Sequence, residues 1–349
     1  MNYCLVGDRT SIHLKKWEFF LRAQGYVIFY VDTSGDPKAA PGANTMRVRF
    51  DRVGKLLIPF QMLRVACFVL KNRIAVVDVQ YVGLNSIVSF FTLGAKQVST
   101  CLGSDIHTDP YRSRLLRLAT GFALARADHI FVCGRPLSLE LKSLYPTIAD
   151  KKIIPFSPGV NLDVFQVRDV VTKKYDFVST RAMQDKYAIL PMLDAFVALR
   201  RSGVSFKVAI VIAKPNADYF EIVKSKVRHE LLNEVDFLPE LPQEELAVIY
   251  NASRFSVHLP TNEGIGLSVV ESALCNCFPI TLGHAAYMDY MDTSDMIISK
   301  STNTKDLLEA MVTALQGDYR VSQSLRHRLS EVHSSPLNYM KNLSLIGVN

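Results

Sequence analysis

Two carboxylates, Glu263 and Glu271, lie on either side of a glycine-containing turn, and their spacing suits recognition of a phosphorylated sugar. The turn consists of Gly264, Ile265, Gly266 and Leu267. Glycines let backbone N–H groups approach an anion closely, and the N-terminus of a following helix adds a favourable dipole. Carboxylate oxygens accept hydrogen bonds from hydroxyl groups. The pattern therefore predicts a site for a sugar nucleotide.

The sequence around this motif predicts the elements that position it. The preceding residues, 254–259, are largely apolar and predict a buried strand, so the motif lies at a strand–loop–helix corner. Glu271 falls about one turn inside the expected helix and can face the same crevice as Glu263. In α/β proteins, ligands bind at the carboxyl ends of the strands, which is where this corner would lie.

Apolar strands alternate with helical patterns along the whole chain, which is typical of doubly wound parallel sheets. The segment 153–165 contains Pro155, Pro158 and Gly159, and we predict that it connects two domains. The alternation restarts at Tyr175. We therefore predict an α/β protein with domains over residues 1–157 and 158–321 and a helical tail over residues 322–349.

The motif resembles the Glu-x7-Glu signature of retaining glycosyltransferases with the GT-B fold, especially those of family 4. Further segments resemble the same family in the same order along the chain. They include Val6-Gly7-Asp8, Gly103-Ser104-Asp105, Ala127-Asp128-His129-Ile130, Pro158-Gly159-Val160-Asn161, and Ser179-Thr180-Arg181 with Lys186. The resemblance implies two Rossmann-like domains facing a cleft, an acceptor-side domain followed by a nucleotide-sugar domain. It also implies that the C-terminal helix crosses back onto the first domain.

The resemblance assigns roles to the residues of the second domain. Glu263 would contact the hydroxyls of the donor sugar, Glu271 would accept both ribose hydroxyls, and residues 264–267 would supply backbone donors. Arg181 and Lys186 match family residues that bind the leaving diphosphate and replace a divalent metal. The chain contains no Asp-x-Asp motif, so neither a metal nor another cofactor is expected. A surface Arg and Lys near a helix start is the simpler alternative.

The glycine after the first predicted strand, Gly7, lies where a turn admits donor phosphate or acceptor. This is a single glycine, so the signal is weak alone. Asp8 and His13 are candidates for the acceptor side, although His13 equally suits a helix surface.

The first domain departs from the family near its expected catalytic residue. Many relatives carry a histidine immediately before the Gly-x-Asp-like segment, and Leu102 stands there in this chain. Asp105 therefore becomes the leading catalytic polar group, and His107 is a substitute. The alternative is that Asp105 caps the N-terminus of a helix.

The chain is basic, with 40 Lys and Arg against 33 Asp and Glu and a formal net charge of +7. The excess is clearest in the first half. These residues are Arg47, Arg49, Lys55, Arg64, Lys71 and Arg73, followed by Arg112, Arg114 and Arg117. They accompany apolar residues at near-helical spacing without the aromatic interleaving of a nucleic-acid site, so no nucleic-acid partner is expected. They fit either the solvated faces of packed helices or contact with an anionic membrane surface.

Other features of the sequence suggest a cytoplasmic protein, either free or resting on the inner face of the membrane. No apolar run is long enough to cross a bilayer, and the N-terminus lacks the layout of a signal peptide. The six cysteines are scattered, and most lie in apolar segments such as those around Cys67, Cys133 and Cys275. Reduced core thiols are the better interpretation.

The function expected is a retaining, metal-independent glycosyltransferase. It would move a sugar from a nucleoside-diphosphate sugar to a glycan or lipid-linked acceptor in the synthesis of cell-surface polysaccharide or glycolipid. One alternative is a sugar-nucleotide epimerase or hydrolase of the same fold, and another is a catalytically silent relative that binds nucleotide sugar. A dinucleotide-dependent oxidoreductase is disfavoured because residues 5–11 lack Gly-x-Gly-x-x-Gly.

Overall fold

The computed structural model describes residues 1–34, 44–50, 57–92, 94–168 and 172–347. The chain forms two compact units. The first comprises Met1–Pro158 with Pro336–Asn349, and the second comprises Gly159–Ser335. The predicted tail, 322–349, is therefore shared between the units. Of the basic residues singled out in the sequence, Lys55 lies outside the described residues.

The first unit is built on a seven-stranded parallel sheet with strand order β3-β2-β1-β4-β5-β6-β7. Its strands are β1 (Asn2–Gly7), β2 (Val27–Asp32), β3 (Thr45–Arg47), β4 (Val76–Gln80), β5 (Lys96–Cys101), β6 (His129–Cys133) and β7 (Ile153–Phe156). Its helices are α1 (Ile12–Ala23), α2 (Ile58–Lys71), α3 (Val82–Ser89), α4 (Ser104–His107), α5 (Asp109–Arg112), α6 (Arg114–Arg126) and α7 (Arg135–Leu144).

Both faces of this sheet are covered by helices, because successive side chains of each strand point to opposite faces. On one face, Tyr3 and Leu5 of β1 pack with Trp17 of α1. On the other face, the alternate residues Cys4 and Val6 belong to the core formed by α2 and Val88 of α3. The near-continuous apolar character of the strands follows from burial on both sides.

The prediction that residues 153–165 form only a connection is wrong at its start, since Ile153–Phe156 are strand β7. This strand pairs in parallel with β6, with Ile153 opposite Ile130. A proline at position 155 is tolerated because β7 is the last strand of the sheet and pairs on one side only. Proline content alone therefore hid an edge strand.

The second unit contains a six-stranded parallel sheet with strand order β10-β9-β8-β11-β12-β13. Its strands are β8 (Tyr175–Ser179), β9 (Val208–Val211), β10 (Val235–Leu238), β11 (Ser253–His258), β12 (Phe278–Thr281) and β13 (Ile297–Ile298). Its helices are α8 (Ile189–Arg201), α9 (Ala217–Glu230), α10 (Gln243–Asn251), α11 (Leu267–Leu274), α12 (Ala285–Met288), α13 (Thr304–Gln316) and α14 (Gln323–His333). The last helix of the chain, α15 (Ser335–Ile346), lies almost entirely in the first unit.

The six cysteines are all free, and five of them are buried. Cys67 is exposed, so the expectation of a core thiol is wrong there. It lies on the outward face of α2, a helix whose apolar residues face solvent on one side and the core on the other. Within the described residues, no helix is both long and apolar enough to span a membrane.

Candidate active site

The loops that follow β8 and β11 meet in the second unit, because these two strands are neighbours in the sheet. Arg181 comes two residues after β8, and Glu263 lies in the loop between β11 and α11. The loops are tied together where the Thr261 N–H donates to the carbonyl of Lys186 at 2.8 Å. The structure therefore brings Arg181, Lys186 and Glu263 to one edge of the sheet.

The guanidinium of Arg181 is the centre of this edge. One of its NH2 groups forms an ion pair with the Glu263 carboxylate, and the other donates to Ser268 Oγ at 2.8 Å. The Tyr187 ring lies 4.9 Å from the guanidinium carbon. Burial disfavours the cation, but the Glu263 charge holds the pKa of Arg181 above its ordinary value. The side chains of Arg181 and Glu263 remain 12% and 15% exposed, so both can reach a ligand.

The glycine turn is held in place from beneath by two buried tyrosines. Gly266 has φ +74°, and a Cβ atom there would overlap the ring of Tyr287, so glycine is needed for both backbone conformation and space. The Tyr290 hydroxyl donates to the carbonyl of Ile265. Gly266 is also the N-cap of α11, which begins at Leu267. The turn therefore presents the helix N-terminus at the same edge as Arg181, as an anion site requires.

A buried histidine, His258 at the end of β11, lies behind Arg181 in a chain of hydrogen bonds. Ser268 Oγ accepts from Arg181 and lies 3.3 Å from His258 Nδ1. His258 Nε2 lies 3.4 Å from Ser272 Oγ, which accepts from Ser256 at 2.8 Å. Burial, reinforced by the Arg181 charge, holds the pKa of His258 well below its usual range. A neutral ring accepting at Nδ1 and donating at Nε2 satisfies every group in this chain.

Sequence reasoning missed His258, Ser268 and Tyr287, although each supports a residue it had named. Two of these, His258 and Ser268, lie within five residues of Glu263, and a polar residue at the end of an apolar strand was a usable signal. Tyr287 had no such signal, since its place under the turn depends on the fold.

Lys186 and Glu271 complete the donor-side set. Lys186 is exposed, with Nζ 5.1 Å from the Tyr187 ring centroid. Glu271 lies one turn inside α11 and is half-buried. Burial, and then the negative charge of Glu271, raises the pKa of Tyr250, and the Tyr250 hydroxyl is hydrogen-bonded to Thr180 at 2.7 Å. The charge of Glu271 therefore acts on the Tyr250–Thr180 pair at the end of β8.

In the first unit, Asp105 has no exposed surface. Its carboxylate accepts hydrogen bonds from the N–H groups of Gly103 at 2.7 Å, Leu102 at 3.2 Å and Val82 at 3.1 Å. Burial raises the pKa of Asp105 to about 6. The N-cap of α4 is Gly103 rather than Asp105. The carboxylate instead joins the loop after β5 to the start of α3.

The other first-unit candidates have different surroundings. His107 forms an ion pair through Nδ1 with Glu140 of α7. Gly7 is buried at the end of β1, and Asp8 is exposed and accepts from the Thr10 N–H at 2.8 Å. His13, in the first turn of α1, lines a small cavity of about 20 Å³ at the carboxyl end of the sheet.

Asp78 of β4, which also lines this cavity, is a residue that sequence reasoning missed. The Asp78 carboxylate accepts from Trp17 Nε1 at 2.8 Å, Gln80 Nε2 at 2.9 Å, Tyr3 Oη at 3.0 Å and Thr100 Oγ1 at 3.0 Å. It is 1% exposed, and burial raises its pKa. Within the described residues, no three His, Cys, Asp or Glu side chains converge into a metal-binding group.

Two family models match the chain, one in each half. Residues 3–133 match the glycosyl transferase 4-like family, and residues 163–332 match the glycosyl transferases group 1. A search among curated protein sequences gave no match. The second match contains the Arg181 and Glu263 edge, and the first contains the Asp78 and Asp105 side.

Solved structures with the same fold cover the chain almost completely. A sucrose-phosphate synthase from Thermosynechococcus elongatus superimposes with TM-score 0.78 at 14% identity, covering 99% of this chain and 98% of that one. HepE of Anabaena, solved in complex with UDP-glucose, gives TM-score 0.76 at 12% identity and 99% coverage of both chains. A glycosyltransferase from Rickettsia africae gives 0.76 at 13%, covering 99% and 97%.

The two parallel-sheet units and these superpositions establish the GT-B fold, and the family models establish sugar transfer as the activity class. The chain belongs to the GT-B glycosyltransferases of the group 1 and family 4-like type.

Proposed function

We propose that this enzyme transfers a sugar from a nucleoside-diphosphate sugar with retention of anomeric configuration and without a metal ion. The observation that carries the proposal is the placement of Arg181 and Glu263 beside the α11 N-terminus. A cation, a carboxylate and free backbone donors at one sheet edge match the diphosphate and hydroxyls of such a donor.

The positive charge needed by the leaving diphosphate would come from the protein itself. Arg181 is fixed by Glu263, Ser268 and Tyr187, while Lys186 is exposed and able to approach a phosphate. Preorganised charge of this kind stabilises negative charge that develops as the glycosidic bond breaks. Together with the N–H groups at the start of α11, these cations would take the place of a divalent metal.

Retention follows if the acceptor attacks the face from which the diphosphate leaves. The bond between the anomeric carbon and the leaving phosphate oxygen breaks, and the bond to the acceptor oxygen forms on the same face. The leaving phosphate oxygen takes the acceptor's proton, so no protein general base is required. The burial of Asp105 and its three backbone N–H partners favour a loop-supporting role over direct contact with the sugar.

Glu263 would accept hydrogen bonds from the donor sugar, and Glu271 would accept both ribose hydroxyls. Residues 264–267 would supply backbone donors, and Gly7 of the first unit would admit phosphate or acceptor. The structures of HepE with UDP and glucose and with UDP-glucose support uracil as the first base to test. The acceptor would be a glycan or a lipid-linked glycan of the cell surface, met at the cytoplasmic face of a membrane.

The test is donor turnover with a panel of UDP- and GDP-sugars, with and without a lipid-diphosphate acceptor and with and without a chelator. Turnover that needs an acceptor and survives chelation, with the product anomer matching the donor, is expected. Abolition by a chelator would contradict the metal-free mechanism, and an inverted anomer would contradict retention. Binding of a nucleotide sugar without any turnover would favour a silent relative, and failure to bind any nucleotide sugar would contradict the proposed enzyme.

An epimerase or hydrolase is the second candidate, and one observation favours it. A putative UDP-N-acetylglucosamine 2-epimerase from Listeria monocytogenes shares the fold with TM-score 0.65 at 13% identity. Isomerised or hydrolysed donor in the absence of acceptor, at a rate that acceptor does not change, would support this candidate instead.

A further inference from the structure

Helix α2 of the first unit presents an apolar row to solvent. Phe60, Leu63 and Leu70 are 60%, 61% and 68% exposed, and Cys67 on the same side is exposed too. Positions 60, 63, 67 and 70 follow the i, i+3, i+7, i+10 spacing of one helix face. The opposite face of α2 is buried in the core, so this helix is apolar on its inner and outer sides.

Helix α6 repeats the arrangement. Leu115, Leu118 and Phe122 are 78%, 72% and 49% exposed, and their spacing of three and four residues also places them on one face. The apolar side chains of a surface helix normally face the core, and polar residues face water. Exposed apolar rows on two helices therefore call for a partner surface.

Both helices lie on the same face of the sheet, on either side of α3. Val65 of α2 and Val88 of α3 belong to one core cluster, while α6 packs directly on α3. Just after α3, the Phe90 ring stacks on Phe122 of α6 at 4.6 Å. The two apolar rows consequently belong to one side of the first unit, which we call the α2–α6 surface.

Only basic charges border these rows within the two helices. Arg64 and Lys71 lie on α2, Arg114, Arg117 and Arg126 lie on α6, and neither helix contains Asp or Glu. By helical spacing, Arg114 and Arg126 fall on opposite sides of the Leu115–Phe122 row. An apolar centre with a cationic border matches the acyl boundary and the anionic headgroups of a lipid bilayer.

We propose that the α2–α6 surface docks this enzyme on an anionic membrane, with the two apolar rows entering the headgroup region. The charge pattern selects this occupant over a second copy of the chain. A symmetric dimer through this surface would bring the same basic borders together without acidic partners on the two helices. The proposal gives a specific surface to the membrane association included in the proposed function, but it does not depend on the donor chemistry.

The experiment is vesicle flotation of the full chain with phosphatidylcholine alone and with phosphatidylcholine containing phosphatidylglycerol. Wild-type protein should float with the anionic vesicles and much less with the neutral ones. Leu115→Ser with Leu118→Ser should weaken binding at least about tenfold, since two leucines that would be partly buried in the bilayer are lost. Arg114→Gln with Arg126→Gln should weaken it by a similar factor, roughly fivefold for each arginine.

Phe19→Ser is the matched control. Phe19 is 78% exposed but lies on α1, which packs against the opposite face of the sheet, so its loss should leave flotation unchanged. Circular dichroism confirms that each variant is folded. Arg181→Ala, which removes a donor-site residue, should float like wild type, so flotation and sugar transfer can fail independently.

Three outcomes would overturn the proposal. Wild-type protein that ignores anionic vesicles would do so directly, as would a folded Leu115/Leu118 variant that floats like wild type. The third is a wild-type dimer in the absence of vesicles, seen by sedimentation, together with a monomeric Leu115/Leu118 variant. That result would assign the surface to a second copy of the chain.

Discussion

Charged residues near the carboxyl ends of the strands are in opposite states in the two units. In the second unit, Arg181 and Glu263 neutralise each other while keeping exposed edges. In the first unit, Asp78 and Asp105 are 1% and 0% exposed, and the hydrogen-bond donors that they meet among the described residues are neutral. Position near a carboxyl strand end therefore does not by itself identify a candidate ligand-binding charge. Access to solvent separates the two pairs.

The energetic consequences differ as well. A paired cation and carboxylate compensate each other's loss of hydration. Each can still bind a charged or polar group of a ligand. A lone buried carboxylate retains part of its desolvation cost even with several hydrogen bonds, which is why burial raises the pKa of both aspartates. Substitutions in the second unit should therefore change catalysis, and those in the first should change stability.

The largest effect is expected at Arg181. Arg181→Ala should lower kcat/KM for the nucleotide sugar at least about a thousandfold, because a fixed cation is lost from a partly buried anion site. Steady-state kinetics with the best donor measures it. Arg254→Ala removes a 3.1 Å ion pair with Asp176 at the other end of β11. Its kcat/KM should stay within about threefold of the wild-type value. Equal losses in both variants would break the comparison.

The next effect tests the first unit through Asp78→Ala. This change leaves Tyr3, Trp17 and Gln80 without their acceptor and should cost about 4 kcal/mol of unfolding free energy, measured by denaturant titration. Asp150→Ala removes only an exposed pair with Lys142 and should cost less than about 0.5 kcal/mol. A folded Asp78 variant with wild-type stability and no turnover would place this carboxylate with the reacting groups.

The pH dependence of stability sharpens the contrast at Asp105. Its folded-state pKa of about 6 lies above the ordinary 3.8, so the folded state binds this proton more tightly than the unfolded chain. Stability from that proton is present below about pH 4 and is lost as pH rises through about 6, in total about 3 kcal/mol. Relative to Asp105→Asn, wild-type Tm should therefore fall across this window. Parallel Tm curves would contradict a buried, titrating Asp105.

The smallest effect concerns the support of Arg181. Ser268→Ala removes one hydrogen bond to the guanidinium and the link to His258, and kcat/KM should fall about fivefold, equivalent to roughly 1 kcal/mol. Ser268→Thr keeps the hydroxyl and should recover most of the activity. Activity that stays low with threonine would point to packing rather than the hydrogen bond.

The donor edge could be proposed from the sequence because most of its residues lie in one local motif. Glu263, the glycine turn and Glu271 lie within nine residues. Arg181 was assigned through the family resemblance, since its place beside Glu263 depends on the pairing of β8 with β11. The roles of these residues stay predictions until the variants are tested. The fold class and the enzyme class were also predicted, and the family models and superpositions confirm both.

The first unit was harder because its polar contacts join distant parts of the chain. Asp78 meets Tyr3 and Trp17 across 75 and 61 residues, and no spacing in the sequence links them. Strand β7 was missed because Pro155 is acceptable only at a sheet edge, and strand order is a property of the fold. The exposure of individual side chains could not be predicted either, because it depends on which helices and loops pack together. Cys67 is exposed within an apolar segment, and Asp105 is buried although it is charged.

The return of α15 to the first unit has a consequence for how the protein is made. Tyr339 packs on Trp17 and Phe20, with ring centroids 5.0 and 5.4 Å apart, and it joins the core that α1 covers. The first unit therefore leaves the ribosome early but lacks part of its core until translation has passed the second unit and reached α15. A chain released before α15 would leave the aromatic surface on α1 uncovered.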